Sequence, residues 1–430
     1  MGINLKNIFI YLTLIMSCFP LLTFGMRSVL TIIWSIVGLF IFFKHEFKLK
    51  LFKDVFIFII PYLLISISVL YSSNKEYGFG VLLQMLSFLI FPLIFFLNRD
   101  FFSQKDIYKV LDFFSISVLI LILYQIILVS FNFETISSVL TLQEIKSNGF
   151  SSINEISSEK IDQIKLRRFR NFIINATNTH TTYQGLWISL SIFYLGFKAY
   201  LSEKKFIKLI YIILITVFIS WLYLISARMP FLALVVSFML FIIFFSKFSL
   251  KKKVLVSLVP FFVLIGLLLF KNPFSTRVQE YYSTGFSILN KSSKANGFNS
   301  SNVRNGVYYC DIELIKEVPF LGVGLGDIQD KLNECYKKNI DAKVYNWHTY
   351  NTHNQYAFFW ISSGFLGLFS FLYLIIVIFL KSIKEKNYFL FYITSITSIV
   401  FLTENLLQRS DGLFFYCFFI SMLYFNKNKK

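Results

Sequence analysis

The sequence predicts an all-α polytopic membrane protein with about twelve transmembrane helices and a large loop subdomain on the outer side. Three observations carry this prediction. Of 430 residues, 56% are hydrophobic and only 15% charged, whereas a soluble domain keeps about a quarter charged. Apolar runs of 17 to 22 residues recur along the chain, long enough to cross roughly 30 Å of hydrocarbon. The basic residues gather in the gaps between those runs.

Twelve spans are expected near 6–24, 28–44, 54–72, 79–97, 111–132, 181–199, 207–226, 229–247, 254–270, 354–380, 387–405 and 411–426. Cytoplasmic loops carry excess Lys and Arg. The clusters Lys44–Lys50, Arg99–Lys109, Lys198–Lys208, Lys247–Lys253, Lys381–Lys386 and Lys427–Lys430 all fall on even-numbered connections or the C-terminus. Twelve spans with both termini cytoplasmic satisfy every cluster, and an error of one span would not. The first apolar run is expected to be a retained helix, and Cys18 within it an ordinary cysteine rather than a lipoprotein cleavage site. Three parts follow: helices one to nine over 1–270, a large outer loop over 271–353, and the last three helices over 354–430.

A net charge of +19 raises the question of nucleic acid. The distribution answers it, because short basic clusters between apolar runs set topology and do not form one binding face. Four cysteines are too few for a disulfide scaffold. Cys310 and Cys335 share one outer loop in an oxidising compartment, which leaves a disulfide between them open. Two connections are long, 133–180 and 271–353. The first ends in the basic run Lys165–Arg170, and the second has room for a small helical subdomain. Val307–Val318 there has helical spacing and stops at Pro319. No internal repeat is visible.

Polar residues that could do chemistry are few. Of the histidines His45, His180, His348 and His353, three fall on the outer side by this topology. The last two are five residues apart and would diverge on a helix, which argues against a paired zinc site. Arg228 occupies the short outer link between spans seven and eight, where a charge is costly and usually functional or paired; a snorkelling structural arginine is the alternative. Glu404, Asn405, Arg409 and Asp411 crowd the outer end of span eleven, where an internal ion pair would account for them. Leu321–Gly326 lacks the Lys-Ser/Thr of a phosphate loop and reads as a glycine-rich turn that lets backbone approach a neighbour or ligand.

These segments together resemble the O-antigen ligase and polymerase superfamily. His353 and Asn354, nine further residues, then Gly364 and Gly367 match the hallmark of O-antigen ligases at all four fixed positions. Arg228 to Leu232 is similar to the family's Arg-x-x-x-Leu element. Arg304 upstream of Pro319-Phe320-Leu321-Gly322-Val323-Gly324 resembles its outer-loop arginine and glycine stretch. His180–Tyr183 and Thr403–Asn405 are weaker echoes. The resemblance implies the helical type C glycosyltransferase architecture in a bacterial inner membrane. It implies transfer of a glycan from a polyprenyl-diphosphate carrier to an acceptor hydroxyl at the periplasmic face, with O-antigen ligation to lipid A-core as the leading reading. Repeat-unit polymerisation and transfer to protein hydroxyls are the enzymatic alternatives, and a polysaccharide or lipid transporter the non-enzymatic one. No metal or other cofactor is expected. Arg228, Arg304 and His353 are the expected catalytic residues. His348, His180, Asn354 and Gly324 join the two arginines in substrate binding. The chemistry agrees: a diphosphate leaving group without a metal needs cations, arginine's fork suits it, and an acceptor hydroxyl gains from a base that titrates near neutrality. Gly364 and Gly367 are expected to let helices pack closely around the cavity.

Overall fold

The computed structural model describes residues 5–44, 53–148, 150–249, 251–256 and 299–426, with isolated positions between 258 and 289. Among the described residues no strand occurs. The helices are α1 (Leu5–Ser17), α2 (Phe24–Lys44), α3 (Lys53–Ser68), α4 (Lys75–Gln84), α5 (Ser87–Leu97) and α6 (Gln104–Phe131). After the short α7 (Phe133–Ser137) and α8 (Leu142–Ser147) come α9 (Ser158–Thr177), α10 (Thr181–Leu201), α11 (Lys205–Leu224) and α12 (Arg228–Phe245). The C-terminal third holds α13 (Ser300–Glu317), α14 (Ile328–Cys335), α15 (Val344–Trp347), α16 (Gln355–Lys384), α17 (Tyr388–Val400) and α18 (Ser410–Phe425).

Among the described residues, seven stretches are long and apolar enough to cross a membrane, with α4 and α5 forming one of them, and α1, α17 and α18 are shorter apolar helices. With α10, which is long enough but not among the seven, helices stand at eleven of the twelve expected positions. The ninth, near 254–270, falls largely outside the described residues, as do most of 271–298, His45 and the tail Lys427–Lys430. Some expected boundaries need correction. The first helix stops at Ser17, not near 24, because the chain turns through Phe19–Leu21 with Pro20 at its start. The fourth is interrupted at Met85–Leu86. The eleventh ends at Val400, and residues 401–409 form the link to α18.

Helix α10 is less apolar than its neighbours because it touches protein rather than lipid. Fifteen of its residues are buried, Gln184, Ser189 and Ser191 among them. It packs against α6, α11, α12 and α17. Trp221 Nε1 donates to Gln125 Oε1 at 2.8 Å, and Gln125 Nε2 donates to Gln184 Oε1 at 2.8 Å. Gln184 Nε2 then reaches Thr177 Oγ1 at 3.0 Å and the Thr179 carbonyl at 2.9 Å. Polar groups inside a bundle must pair with one another, and this relay fixes the approach to His180. The other central helix, α18, is buried from Gly412 to Phe425 and lies along α5.

Helix α16 is broken, not continuous: Ser363 and Gly364 leave helical geometry, with Gly364 at φ 68°. The glycine-rich turn fills the break. Val323 N–H donates to the Ile361 carbonyl at 2.8 Å, Gly324 N–H to that of Ser362 at 3.1 Å, and Phe365 N–H to that of Pro319 at 3.0 Å. Backbone groups freed by the break are thus satisfied, as they must be at membrane depth. This corrects the expected role of the glycine pair. A Cβ on Gly364 would collide with the Phe320 backbone, and one on Gly367 with Ser363 and Phe359 of the same broken helix. The pair serves the break, not close packing of one helix on another.

The segment from α13 to α15 forms a small helical subdomain, as expected of the second long loop. Helix α13 runs Ser300–Glu317, capped by Asn299 and ending just before Pro319. Cys310 and Cys335 are disulfide-bonded and tie α13 to α14. Tyr336 stacks on Tyr345 at 4.6 Å, and Tyr345 donates to the Val303 carbonyl at 2.8 Å. The first long connection is also helical: its basic run lies within α9, where Arg168 bridges to Glu144.

Candidate active site

His353 lies in the short link between the subdomain and α16. Its backbone N–H donates to Asn351 Oδ1 at 3.1 Å, and its φ of 44° is a conformation that L-residues seldom adopt. Neighbours on both sides hold it. Thr352 and Asn405 exchange hydrogen bonds of 2.8 to 3.0 Å. Gln355 N–H donates to the Phe401 carbonyl at 2.8 Å, and its side chain accepts from Leu407 N–H at 2.9 Å. The α17–α18 link is therefore stapled to the histidine segment, and Glu404 stands on that link.

Glu404 is the point of convergence. Arg304, on the first turns of α13, places Nη2 3.3 Å from Glu404 Oε1. His353 Nδ1 faces Glu404 Oε2 at 3.9 Å, beyond hydrogen-bond reach but close in Coulomb terms. Burial pushes the Glu404 carboxyl up, yet His353 and Arg304 prevail and hold it below the usual carboxylate range. The site therefore keeps an anion between a guanidinium and an imidazole.

His180 caps α10: its Nδ1 accepts from Thr182 N–H at 3.3 Å. Burial depresses its basicity, Arg170, Arg409 and Arg304 depress it further, and Glu404 opposes them. Its depressed basicity and its use as a cap argue for holding the cluster in place rather than taking a proton. Those same charges put His180, Arg304 and Glu404 in one neighbourhood. Arg228 opens α12, after a link in which Ser226 has φ 51°. Ala227 and Pro230 pack on Gly185, where an added Cβ would lie within 2.7 to 2.9 Å of them. The residues flanking Arg228 are thus packed against Gly185, near the start of α10.

The remaining expected residues fall out differently. Asn354 Oδ1 accepts from Tyr356 and Ala357 N–H at 2.9 and 3.0 Å, capping α16. Gly324 has φ 90°, gives its N–H to Ser362, and would meet Ser68 and Ser72 of the α3 end if it carried a Cβ; its surroundings are protein. His348 is exposed and lines a cleft of about 360 Å³ with Tyr336, Lys337 and Trp347. Among the described residues no group of three or more His, Cys, Asp and Glu side chains gathers in a metal-binding arrangement.

Sequence reasoning underweighted Glu404 and did not foresee two partners. Asp411 pairs with Arg27 of α2, and Arg170 donates to Thr181 at 3.0 Å beside His180. A carboxylate between two apolar runs was the available signal, since such a group is costly unless paired. Its partner could not be read, because Arg304 is remote along the chain. Helices α10, α12, α16 and α18 all begin near these residues, so their positive dipole ends add to the arginines in favouring an anion.

No curated protein matches the chain. Residues 213–372 match the family model described as O-antigen ligase, a stretch that includes Arg228, Arg304 and His353 and stops short of Glu404.

Proposed function

We propose, from the premise that the chain belongs to the O-antigen ligase superfamily, that it transfers a glycan from a polyprenyl-diphosphate carrier to a hydroxyl of lipid A-core at the periplasmic face of the inner membrane. One observation carries the reading: Arg304 and His353, remote in sequence, meet on the same half-buried carboxylate of Glu404. Arg228 and Arg304 hold the diphosphate, supplying fixed cations where negative charge develops. The acceptor oxygen attacks the anomeric carbon, the bond from that carbon to the phosphate oxygen breaks, and the diphosphate leaves with the electron pair. His353 takes the acceptor proton. When the diphosphate takes over Arg304, Glu404 loses one partner and turns wholly to His353, where it stabilises the imidazolium as the proton arrives. Donor binding thereby prepares the base. The glycine-rich turn, Asn354 and His180 hold this cluster, and His348 reaches the glycan from the neighbouring cleft.

Deletion of the gene with gel analysis of surface glycans tests the reaction class. Core without attached polymer supports ligation, core bearing one repeat indicates a polymerase, and an unchanged pattern overturns the proposal. Complementation with His353→Ala then tests the site: a folded variant should lose transfer by roughly 10²–10⁴-fold, the usual contribution of general acid–base catalysis, while still binding the lipid-linked donor.

A further inference from the structure

A cavity of about 240 Å³ lies directly against the histidine segment, lined by residues of α4, the glycine-rich turn and α14, the link before α16, and the α17–α18 link. Two of its walls, Thr352 and Asn405, are the chain neighbours of His353 and Glu404 and are bonded to each other. From its lining we infer that this cavity is a glycan subsite that selects a sugar carrying a carboxylate.

The walls are polar in a particular way. Side-chain amides of Gln84, Gln329, Asn351 and Gln408 face it, with Tyr77 at one side. Amides present a donor and an acceptor together, which is what a ring of hydroxyls requires. Two of them are already oriented. Gln329 Nε2 donates to the Tyr350 carbonyl at 3.0 Å and to Asn333 at 3.1 Å, which leaves its carbonyl oxygen to accept. Gln408 Oε1 accepts from Asn405, which leaves its NH₂ to donate. The one fixed charge in the lining is Arg409. Among the described residues it has no ion-pair partner, although Asp411 lies two positions on, because Asp411 is taken by Arg27. A guanidinium at the edge of an amide-lined cavity suits a carboxylate, which it can grip with two parallel bonds. At about 240 Å³ the space is smaller than the roughly 300–1,000 Å³ of drug-sized sites, so it holds a short stretch of glycan and not a polymer.

The subsite deepens the transferase reading and places one sugar of a substrate beside His353. Its test uses binding without turnover, so the two readings can fail separately. The full chain in detergent is measured by saturation-transfer NMR with glucuronic acid, glucose and inorganic diphosphate as probes. Glucuronic acid should bind more tightly than glucose. Arg409→Ala should weaken it about tenfold or more, the scale of a lost charge-assisted pair, with Arg409→Lys recovering part. Lys208→Ala, an exposed cation of α11 outside the lining of either cavity, should leave it unchanged. The inference fails if the wild-type chain gives no signal from glucuronic acid, if Arg409→Ala binds as the wild type does, or if Lys208→Ala loses as much. Displacement of glucuronic acid by inorganic diphosphate would also overturn it, since Arg409 would then belong to the donor's phosphates. A chain that binds the sugar yet transfers nothing would sink the transferase reading and leave the subsite standing.

Discussion

Arg304 Nη2 stands 3.3 Å from Glu404 Oε1, across the whole of α16 and α17 in sequence. Because the other oxygen of that carboxylate faces His353, neutralising Glu404 should change two functions in opposite senses. Glu404→Gln keeps shape and frees Arg304, so donor affinity should hold or improve. It also removes the anion that supports a protonated His353, so turnover should fall by roughly 10²-fold, the lower range for acid–base catalysis. Donor binding and single-turnover transfer on the purified variant check both. The depressed carboxyl pKa of Glu404 adds a stability sign. Its contribution is present above the unfolded value and is lost as pH falls through the lower folded value. The gap in thermal midpoint between wild type and Glu404→Gln should therefore close on acidification.

Gly364 has φ 68°, and a Cβ there would strike the Phe320 backbone. Gly364→Ala should lower stability by about 1–3 kcal/mol from the backbone conformation alone, and by more from the collision. Gly25, whose Cβ position is open, is the control. Equal thermal midpoints for Gly364→Ala and Gly25→Ala would show that the break in α16 is not held as described.

Legibility followed distance along the chain. Span positions were readable because apolar length is a local property, and a helix stands at 181–199 as expected, although α10 is not among the seven long apolar stretches. The helix over Val307–Val318 was readable from spacing and the stop at Pro319. The break in α16 was not, because Ser362, Ser363 and Gly364 alone do not stop a helix and the cause of the break lies in the turn around Val323. Within the cluster, His353, Arg304 and Arg228 stood out as rare polar groups at membrane margins. The Thr352–Asn405 staple and the Arg27–Asp411 pair were invisible, since each depends on two segments meeting in space.

Cys310 and Cys335 close a loop of sequence separation 25 between α13, which carries Arg304, and α14. Removing the crosslink should cost about 3 kcal/mol by chain entropy. The paired Ser variant should unfold at lower temperature and lose donor binding when warmed, before the membrane helices lose far-UV helicity. Free-thiol counts on the unfolded chain, before and after reduction, check the bond itself.

Arg228 and Arg304 are proposed to share one diphosphate, and Arg304 must give up Glu404 to do so. Lysine at either position keeps charge and loses the fork. Each Lys variant should show weakened donor binding with partial transfer, and each Ala variant should lose both. The double Ala variant should lose less than the sum of the two single effects, because the residues act on one ligand. A titration series with lipid-linked donor decides it, and full additivity would place the arginines on separate groups.

Asp311 follows Cys310 on α13, only 3% exposed, and neither of its carboxylate oxygens has a hydrogen-bond partner among the described residues. Burial therefore pushes its carboxyl well above the usual carboxylate range. The folded chain binds a proton that the unfolded chain has already released, so stability must fall as pH rises from the unfolded value, about 4, toward the raised one. Asp311→Asn fills the same volume without a charge to suppress. It should raise the thermal midpoint of the subdomain at mildly alkaline pH, and the gain should shrink steadily on acidification and vanish below about pH 4. Calorimetry of both proteins across that range checks it. A gain independent of pH would mean the carboxyl ionises freely in the fold, and a loss at every pH would mean it has a partner that the amide cannot replace.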